Sequence, residues 1–230
     1  MTRTIHILDH LDTPEPDALR VHLAARGLTV DARRMDKGDD APVFGPRSAG
    51  LILTGGAQMV TDSHKLPFMA AEMGLIAQAK ARGLPVLGIC LGAQMLSHMH
   101  GGAVGPHPEG QVALGWYEAL PTKAGADLIP PGLMTLAGNE QGFALPPGAD
   151  LLASGALFPN QAFRIDAMLA LQFHPEVTRA ILDDWQEVLR ANAGRPGTQD
   201  ERAQNAGFIA HDTALKSWLR ATLDRHFALA

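Results

Sequence analysis

Pro85-Val86-Leu87-Gly88-Ile89-Cys90-Leu91-Gly92-Ala93-Gln94 is the stretch whose reading decides the fold. Val86 to Ile89 is apolar at every position, with no polar alternation. Such runs belong to parallel strands covered on both faces. The strand stops at Cys90, and Leu91-Gly92 leads into a helix carrying Gln94, Met95 and His98. Gly88 and Gly92 stand two residues to either side of Cys90, the G-x-nucleophile-x-G elbow with cysteine in place of serine. A turn this sharp brings backbone against backbone, where a Cβ would clash. It also sets the sulfur at a helix start, where amide N–H groups and the helix dipole favour a thiolate. The Leu91 amide points the same way and could serve an oxyanion. Against this stands the common case of a lone cysteine buried as a small apolar side chain.

Upstream of the elbow, Ile5 to Leu8 is a short apolar run followed by Asp12, Pro14 and Pro16, a strand entering a loop. The next helix places Leu19, His22 and Leu23 on one face and stops at Gly27. Leu28 to Asp31 predicts a second strand, residues 36–49 a long loop, and Leu51-Ile52-Leu53 a third strand ending at Thr54-Gly55-Gly56. A helix follows from about Leu66 to Arg82, with Pro67 in its first turn, Met69, Met73 and Ile76 as its buried stripe, and Gly83 closing it. Alternating strands and helices up to His100 predict an α/β fold: an open, mostly parallel sheet flanked by helices.

Beyond Gly101-Gly102 the rhythm changes. Short strands are expected around Trp116-Tyr117, Leu133 to Leu136, Leu151-Leu152, Phe163 to Ile165 and Met168 to Phe173, antiparallel and hairpin-linked, as a small antiparallel element. Two amphipathic helices finish the chain: Thr178 to Arg190 with Ile181, Trp185 and Val188 inward, and Asp212 to Phe227 with Leu215, Trp218, Leu219 and Leu223 inward. Residues 191–205 read as a surface connector. The expectation is one domain over 1–230, with 191–230 a connector and helix packed on it.

Composition sets the bounds. Of 230 residues, 46% are hydrophobic and 19% charged, enough to bury a core. A net charge of −5 argues against nucleic-acid binding, which needs a basic field. No apolar run reaches the ~18 residues of a membrane span, and the polar start reads as a strand rather than a signal peptide. One cysteine excludes an intrachain disulfide and a CxxC metal site. A cytoplasmic location is the default expectation.

A thiolate needs a partner for its protons, and histidine is the usual one. Ten histidines make presence alone uninformative; placement is informative. Leu169-Ala170-Leu171-Gln172-Phe173-His174-Pro175-Glu176-Val177 is an apolar strand ending in His-Pro-Glu. Pro175 stiffens the turn, and Glu176 can fold back to hold the imidazole, as the third member of a triad does. His-Pro-Glu alone would read equally well as a strand, a turn and an acid at a helix start.

Taken together, Gly88-Ile89-Cys90-Leu91-Gly92-Ala93-Gln94 and Phe173-His174-Pro175-Glu176 resemble the class I glutamine amidotransferases, in order and spacing, with Thr54-Gly55-Gly56 matching the family's glycine turn. The chain resembles stand-alone members similar to the glutaminase domain of GMP synthase, well over residues 50–180 and loosely at the ends. The resemblance implies a flavodoxin-like sheet and hydrolysis of a γ-glutamyl amide with release of ammonia. It implies Cys90 as nucleophile, His174 as acid and base, Glu176 as its orienter, the backbone amides of Gly56 and Leu91 as oxyanion hole, and Gln94, Gly142 and Phe143 at the substrate. No metal or organic cofactor is implied, and a synthetase partner receiving ammonia is.

Three departures bear on substrate and partner: Ala57-Gln58 follows the paired glycines, Gly138-Asn139-Glu140-Gln141-Gly142 replaces a Ser-His-Gly-Asp-like segment, and Ala113 precedes Leu114-Gly115-Trp116. They leave room for a stand-alone γ-glutamyl hydrolase or peptidase, and for an inactive binding or regulatory homologue. His98, His100 and His107 lack supporting carboxylates and read as surface residues; Arg33-Arg34 reads as a solvated charge pair; Gly55-Gly56 lacks the lysine of a P-loop.

Overall fold

The apolar run after Arg3 forms the middle of β1 (Thr4–His10), which pairs in parallel with β2 (Thr29–Arg33) on one side and β3 (Ser48–Gly56) on the other. Between β1 and β2 lies α1 (Ala18–Ala25), capped by the Asp17 side chain, which accepts from the Arg20 amide at 2.8 Å. The computed structural model describes residues 2–13 and 15–229; Met1, Ala230 and Pro14, the last expected in the loop after β1, lie outside the described residues.

From β3 the chain runs through α2 (Pro67–Ala81), β4 (Val86–Ile89) and α3 (Leu91–Met99), then through β5 (Val104–Pro106), β6 (Ala113–Glu118), β7 (Leu120–Pro121), β8 (Met134–Asn139) and β9 (Gln141–Phe143). It continues with β10 (Asp150–Ser154), β11 (Ala162–Ile165), β12 (Met168–Leu171), α4 (Arg179–Val188) and α5 (Glu201–His226). The main sheet has the order β2-β1-β3-β4-β12-β11-β10-β7, and β5 with β9 and β6 with β8 form two small antiparallel sheets.

Side-chain alternation builds a core on each face of the main sheet. Ile5, Ile7, Ile52, Leu87 and Ile89 face one core with Leu19 and Leu23 of α1 and Leu215, Trp218, Leu219 and Leu223 of α5. Leu8, Leu51, Leu53 and Val86 face the other, with Met69, Leu75 and Ile76 of α2 and Met95 and Leu96 of α3. The sheet is the open, mostly parallel α/β sheet that the elbow predicts.

Several expectations need correction. β12 is antiparallel only to β11; its other edge pairs in parallel with β4, so the strand leading to His174 lies inside the main sheet. Val188 is 75% exposed, and Leu182 takes the inward place beside Ile181. Residues 191–205 are not only a connector. α5 starts at Glu201 because Asp200 caps it, accepting from the Ala203 amide, and Gln199 brackets Trp116, accepting from its amide and donating to its carbonyl. Met73 is half-buried, and Glu72 sits fully buried on that face of α2. Arg34, read as a solvated charge, is engaged by Asp12 and Asp36.

What matters for function is where the strands end. β3, β4 and β12 are parallel neighbours, with Leu53 opposite Gly88 and Ile89 opposite Leu171. Thr54-Gly55-Gly56, Cys90 and Gln172-Phe173-His174 therefore leave the sheet side by side at its carboxyl edge, where open α/β sheets bind their ligands.

Candidate active site

Cys90 has φ 49° and ψ −102°, a positive φ in a residue that is not glycine. Strain of this kind persists only where the surroundings over-determine it, and it gathers at functional positions. Here the surroundings are backbone. A Cβ on Gly88 would stand 2.6 Å from the Gly92 carbonyl carbon, and one on Gly92 would run into the Leu53 carbonyl oxygen. The Cys90 amide donates to the Leu171 carbonyl at 2.8 Å, and its carbonyl accepts from the Gln94 amide. Leu91 is the first residue of α3, so its amide has no partner within the helix.

His174 lies against this elbow. A Cβ on Gly55 would be 2.5 Å from its Cε1 and 3.4 Å from the Cys90 Cβ, so glycine leaves the two reactive side chains a common space. The His174 amide donates to the Leu136 carbonyl, its Nδ1 is 2.7 Å from the Glu176 carboxylate, and the Trp185 ring stands edge-on at 4.6 Å between centroids. Nε2 is buried and has no hydrogen-bond partner among the described residues. Burial works against protonating the ring, but the Glu176 carboxylate and the charge of a Cys90 thiolate prevail, and its pKa is pushed up to about 10. The pair is thus set as carboxylate and imidazolium.

Behind Glu176 lies a cavity of about 30 Å³, lined by Asp9, Asp17, Arg20, His174 and Glu176 among others, but not by Cys90. That is room for one or two waters, not for a substrate of amino-acid size. Arg20 bridges Asp9 and Asp17 there. Burial raises the Asp17 pKa; Arg20 opposes that, and the nearby Glu176 charge adds to it.

Gln94 is buried, not on the helix surface; its Nε2 donates to the Gln141 carbonyl at 2.9 Å. Gly142 and Phe143 follow in β9, with the Phe143 ring packed on Phe163 in the core, so this segment offers the site its backbone. A Cβ on Gly56 would meet the Leu91 side chain at 2.9 Å, which puts the two expected oxyanion donors side by side. Buried acceptor oxygens of Gln58, Asn139 and Gln141 have no hydrogen-bond partner among the described residues, an arrangement suited to a polar ligand.

Two neighbours went unread in the sequence. Gln172 donates toward Cys90 Sγ at 3.6 Å, and its signal was a polar residue inside an apolar strand. His10 pairs with Glu72, both side chains wholly buried, and its signal was a charge on the apolar face of α2. Among the described residues, no group of three His, Cys, Asp or Glu is placed to hold a metal. His98 is exposed, while His100 is half-buried with its ring held by the Leu96 carbonyl.

Comparison with known proteins agrees with this geometry. Residues 17–125 match the family model of class-I glutamine amidotransferases, a stretch that includes Cys90 and stops short of His174. A GMP synthase (glutamine-hydrolyzing) of Thermomicrobium roseum is 36% identical over 139 residues, 58% of this chain and 24% of that protein. One of the separate subunits of the GMP synthase (glutamine-hydrolyzing) of Methanoregula boonei is 27% identical over 168 residues, 70% of this chain and 83% of its own. The chain thus spans about a quarter of the first relative's length. A glutamine amidotransferase structure from Thermotoga maritima superposes with TM-score 0.87 at 23% identity, covering 99% of both chains; one from Methylobacillus flagellatus gives 0.87 at 24%, covering 99% and 94%. At these identities the two structures speak for the fold alone.

Proposed function

Because the chain belongs to the class I glutamine amidotransferases, we propose that it hydrolyses the γ-amide of glutamine through Cys90, His174 and Glu176, releasing ammonia. The observation that carries this reading is a strained cysteine at a strand-to-helix elbow sharing a pocket with a histidine held by a carboxylate at 2.7 Å.

In this mechanism the Cys90 thiolate attacks the amide carbon, and the oxyanion is met by the Gly56 and Leu91 amides. The His174 imidazolium gives its proton to the leaving nitrogen; the C–N bond breaks, ammonia departs, and a glutamyl thioester remains. Neutral His174 then takes a proton from water as it attacks; the C–S bond breaks, and glutamate and thiolate are released. Glu176 keeps Nδ1 protonated and the ring oriented throughout. Gln94 fixes the Gln141 backbone at the amino-acid end of the substrate, beside Gly142 and Phe143. No metal or organic cofactor enters any step, and the free thiol suits a reducing cytoplasm.

A partner synthetase taking the ammonia is supported by the naming of a relative of comparable length as one subunit of a GMP synthase. A second reading, hydrolysis of another γ-glutamyl amine or peptide without a partner, is favoured by the 139–141 segment. Its Glu140 is engaged within the chain by Arg195 at 2.7 Å and Asn192 at 3.3 Å. Glutamate and ammonia release should be assayed on glutamine beside a panel of γ-glutamyl amines and peptides, with Cys90→Ala as control. Glutamine turned over best supports the ammonia donor; preference for another compound supports the hydrolase; no Cys90-dependent turnover leaves a binding homologue.

A further inference from the structure

His10 and Glu72 form an ion-pairing contact of 2.9 Å with neither side chain exposed to solvent. Buried pairs of this kind are poor sources of stability, because desolvating both groups offsets their attraction. Their surroundings here are specific. His10 ends β1 opposite Gly56, past a register shift in the β1–β3 ladder, and its Cβ lies where a Cβ on Gly56 would come within 2.5 Å. Its Nδ1 is 3.1 Å from the Thr54 carbonyl. The imidazole therefore lies under the Thr54-Gly55-Gly56 turn, the same turn that touches His174 and borders Leu91.

The hydrogen-bond inventory constrains this contact. A carbonyl can only accept, so Nδ1 carries a proton and donates to Thr54. Nε2 faces a Glu72 oxygen, and the remaining Glu72 oxygen has no partner among the described residues. The imidazole and the carboxyl thus share one proton between Nε2 and Oε2, and that shared proton keeps Nδ1 in its donating form.

We propose that His10 and Glu72 are a positioning pair for the oxyanion hole: Glu72 sets the tautomer of His10, and His10 fixes the Thr54 carbonyl and with it the Gly55 and Gly56 peptides. The inference rests on the glutaminase reading, since it assigns Gly56 as an oxyanion donor. Neither residue touches substrate. The pair acts on transition-state charge rather than on substrate binding, so its loss lowers kcat and leaves KM nearly unchanged.

Glu72→Met removes the partner at similar volume, His10→Leu removes the donor to Thr54, and Glu72→Gln restores a donor to Nε2 that leaves Nδ1 protonated. The test measures kcat and KM on glutamine, affinity for glutamate γ-semialdehyde, whose thiohemiacetal carries an oxyanion, and alkylation of Cys90 by iodoacetamide, which forms none. Expected are a loss in kcat of about 10- to 100-fold for Glu72→Met and His10→Leu, a parallel loss of aldehyde affinity, unchanged alkylation, and near wild-type behaviour for Glu72→Gln. Folded variants with wild-type kcat and aldehyde affinity overturn the inference alone. Wild-type protein without turnover or aldehyde binding overturns the glutaminase reading and this inference with it. Nitrogen-15 NMR of wild-type His10 gives a check that needs no variant: a protonated Nδ1 is expected, and a bare Nδ1 contradicts the proposal.

Discussion

The nucleophile and its histidine are held by different means. Cys90 is fixed by main chain: Gly88 against Gly92, Gly92 against the Leu53 carbonyl, and the Cys90 amide on Leu171. His174 is fixed largely by side chains: the Glu176 carboxylate at 2.7 Å and the Trp185 ring at 4.6 Å. A backbone-built site tolerates no added carbon, because main chain cannot rotate away. A side-chain-built site can lose a contact and keep its fold. The elbow therefore couples geometry to folding, whereas the histidine's cradle couples geometry to chemistry.

Changes on each side should separate accordingly. Cys90→Ala or His174→Ala should leave a folded protein whose residual glutamine hydrolysis is not distinguishable from background, read by glutamate release. Glu176→Gln should lower kcat by about 10²- to 10⁴-fold, since it removes the charge that favours the imidazolium; a loss under tenfold would detach Glu176 from the triad. Gly92→Ala should act first on stability, by about 1–3 kcal/mol in denaturant unfolding, because its new Cβ meets the backbone of Leu53.

The pH dependence of stability sharpens the same contrast. The folded His174 pKa of about 10 lies above the ordinary 6.5, so protonated His174 stabilises the fold. That contribution is fully present below about pH 6.5 and is lost as pH rises through about 10. The stability gap between wild type and His174→Gln should narrow across this window, while the gap for Gly92→Ala stays flat. The smallest effect is expected for Trp185→Leu, which removes the edge-on contact with His174 and should lower kcat by no more than about tenfold with the elbow intact.

These differences also explain what the sequence could reveal. The elbow was legible because backbone constraints leave glycines at fixed short spacing around Cys90. His174 and Glu176 were legible because proline and acid follow within two residues. Trp185 could be placed inward, but nothing local tied it to His174. The partnership of His10 with Glu72 spans 62 residues and leaves no local pattern beyond a charge on an apolar face. The outward turn of Val188 and the early start of α5 were missed because periodicity fixes a helix's face better than its ends, and the Asp200 cap lay inside a stretch rich in turn residues. The parallel side of β12 was missed because β11 to β12 reads locally as a hairpin, and pairing with β4 depends on the whole sheet.

The account's central claim is that Cys90 carries the glutamyl group. The most direct measurement is acid quench of protein mixed with glutamine, followed by mass spectrometry of the Cys90 peptide, in wild type and in Glu176→Gln, where slowed hydrolysis lets the adduct accumulate. The account predicts a glutamyl thioester on Cys90 that forms with ammonia release and is absent from Cys90→Ala. Cys90-dependent turnover with no adduct at any quench time, or equal turnover in Cys90→Ala, would contradict it.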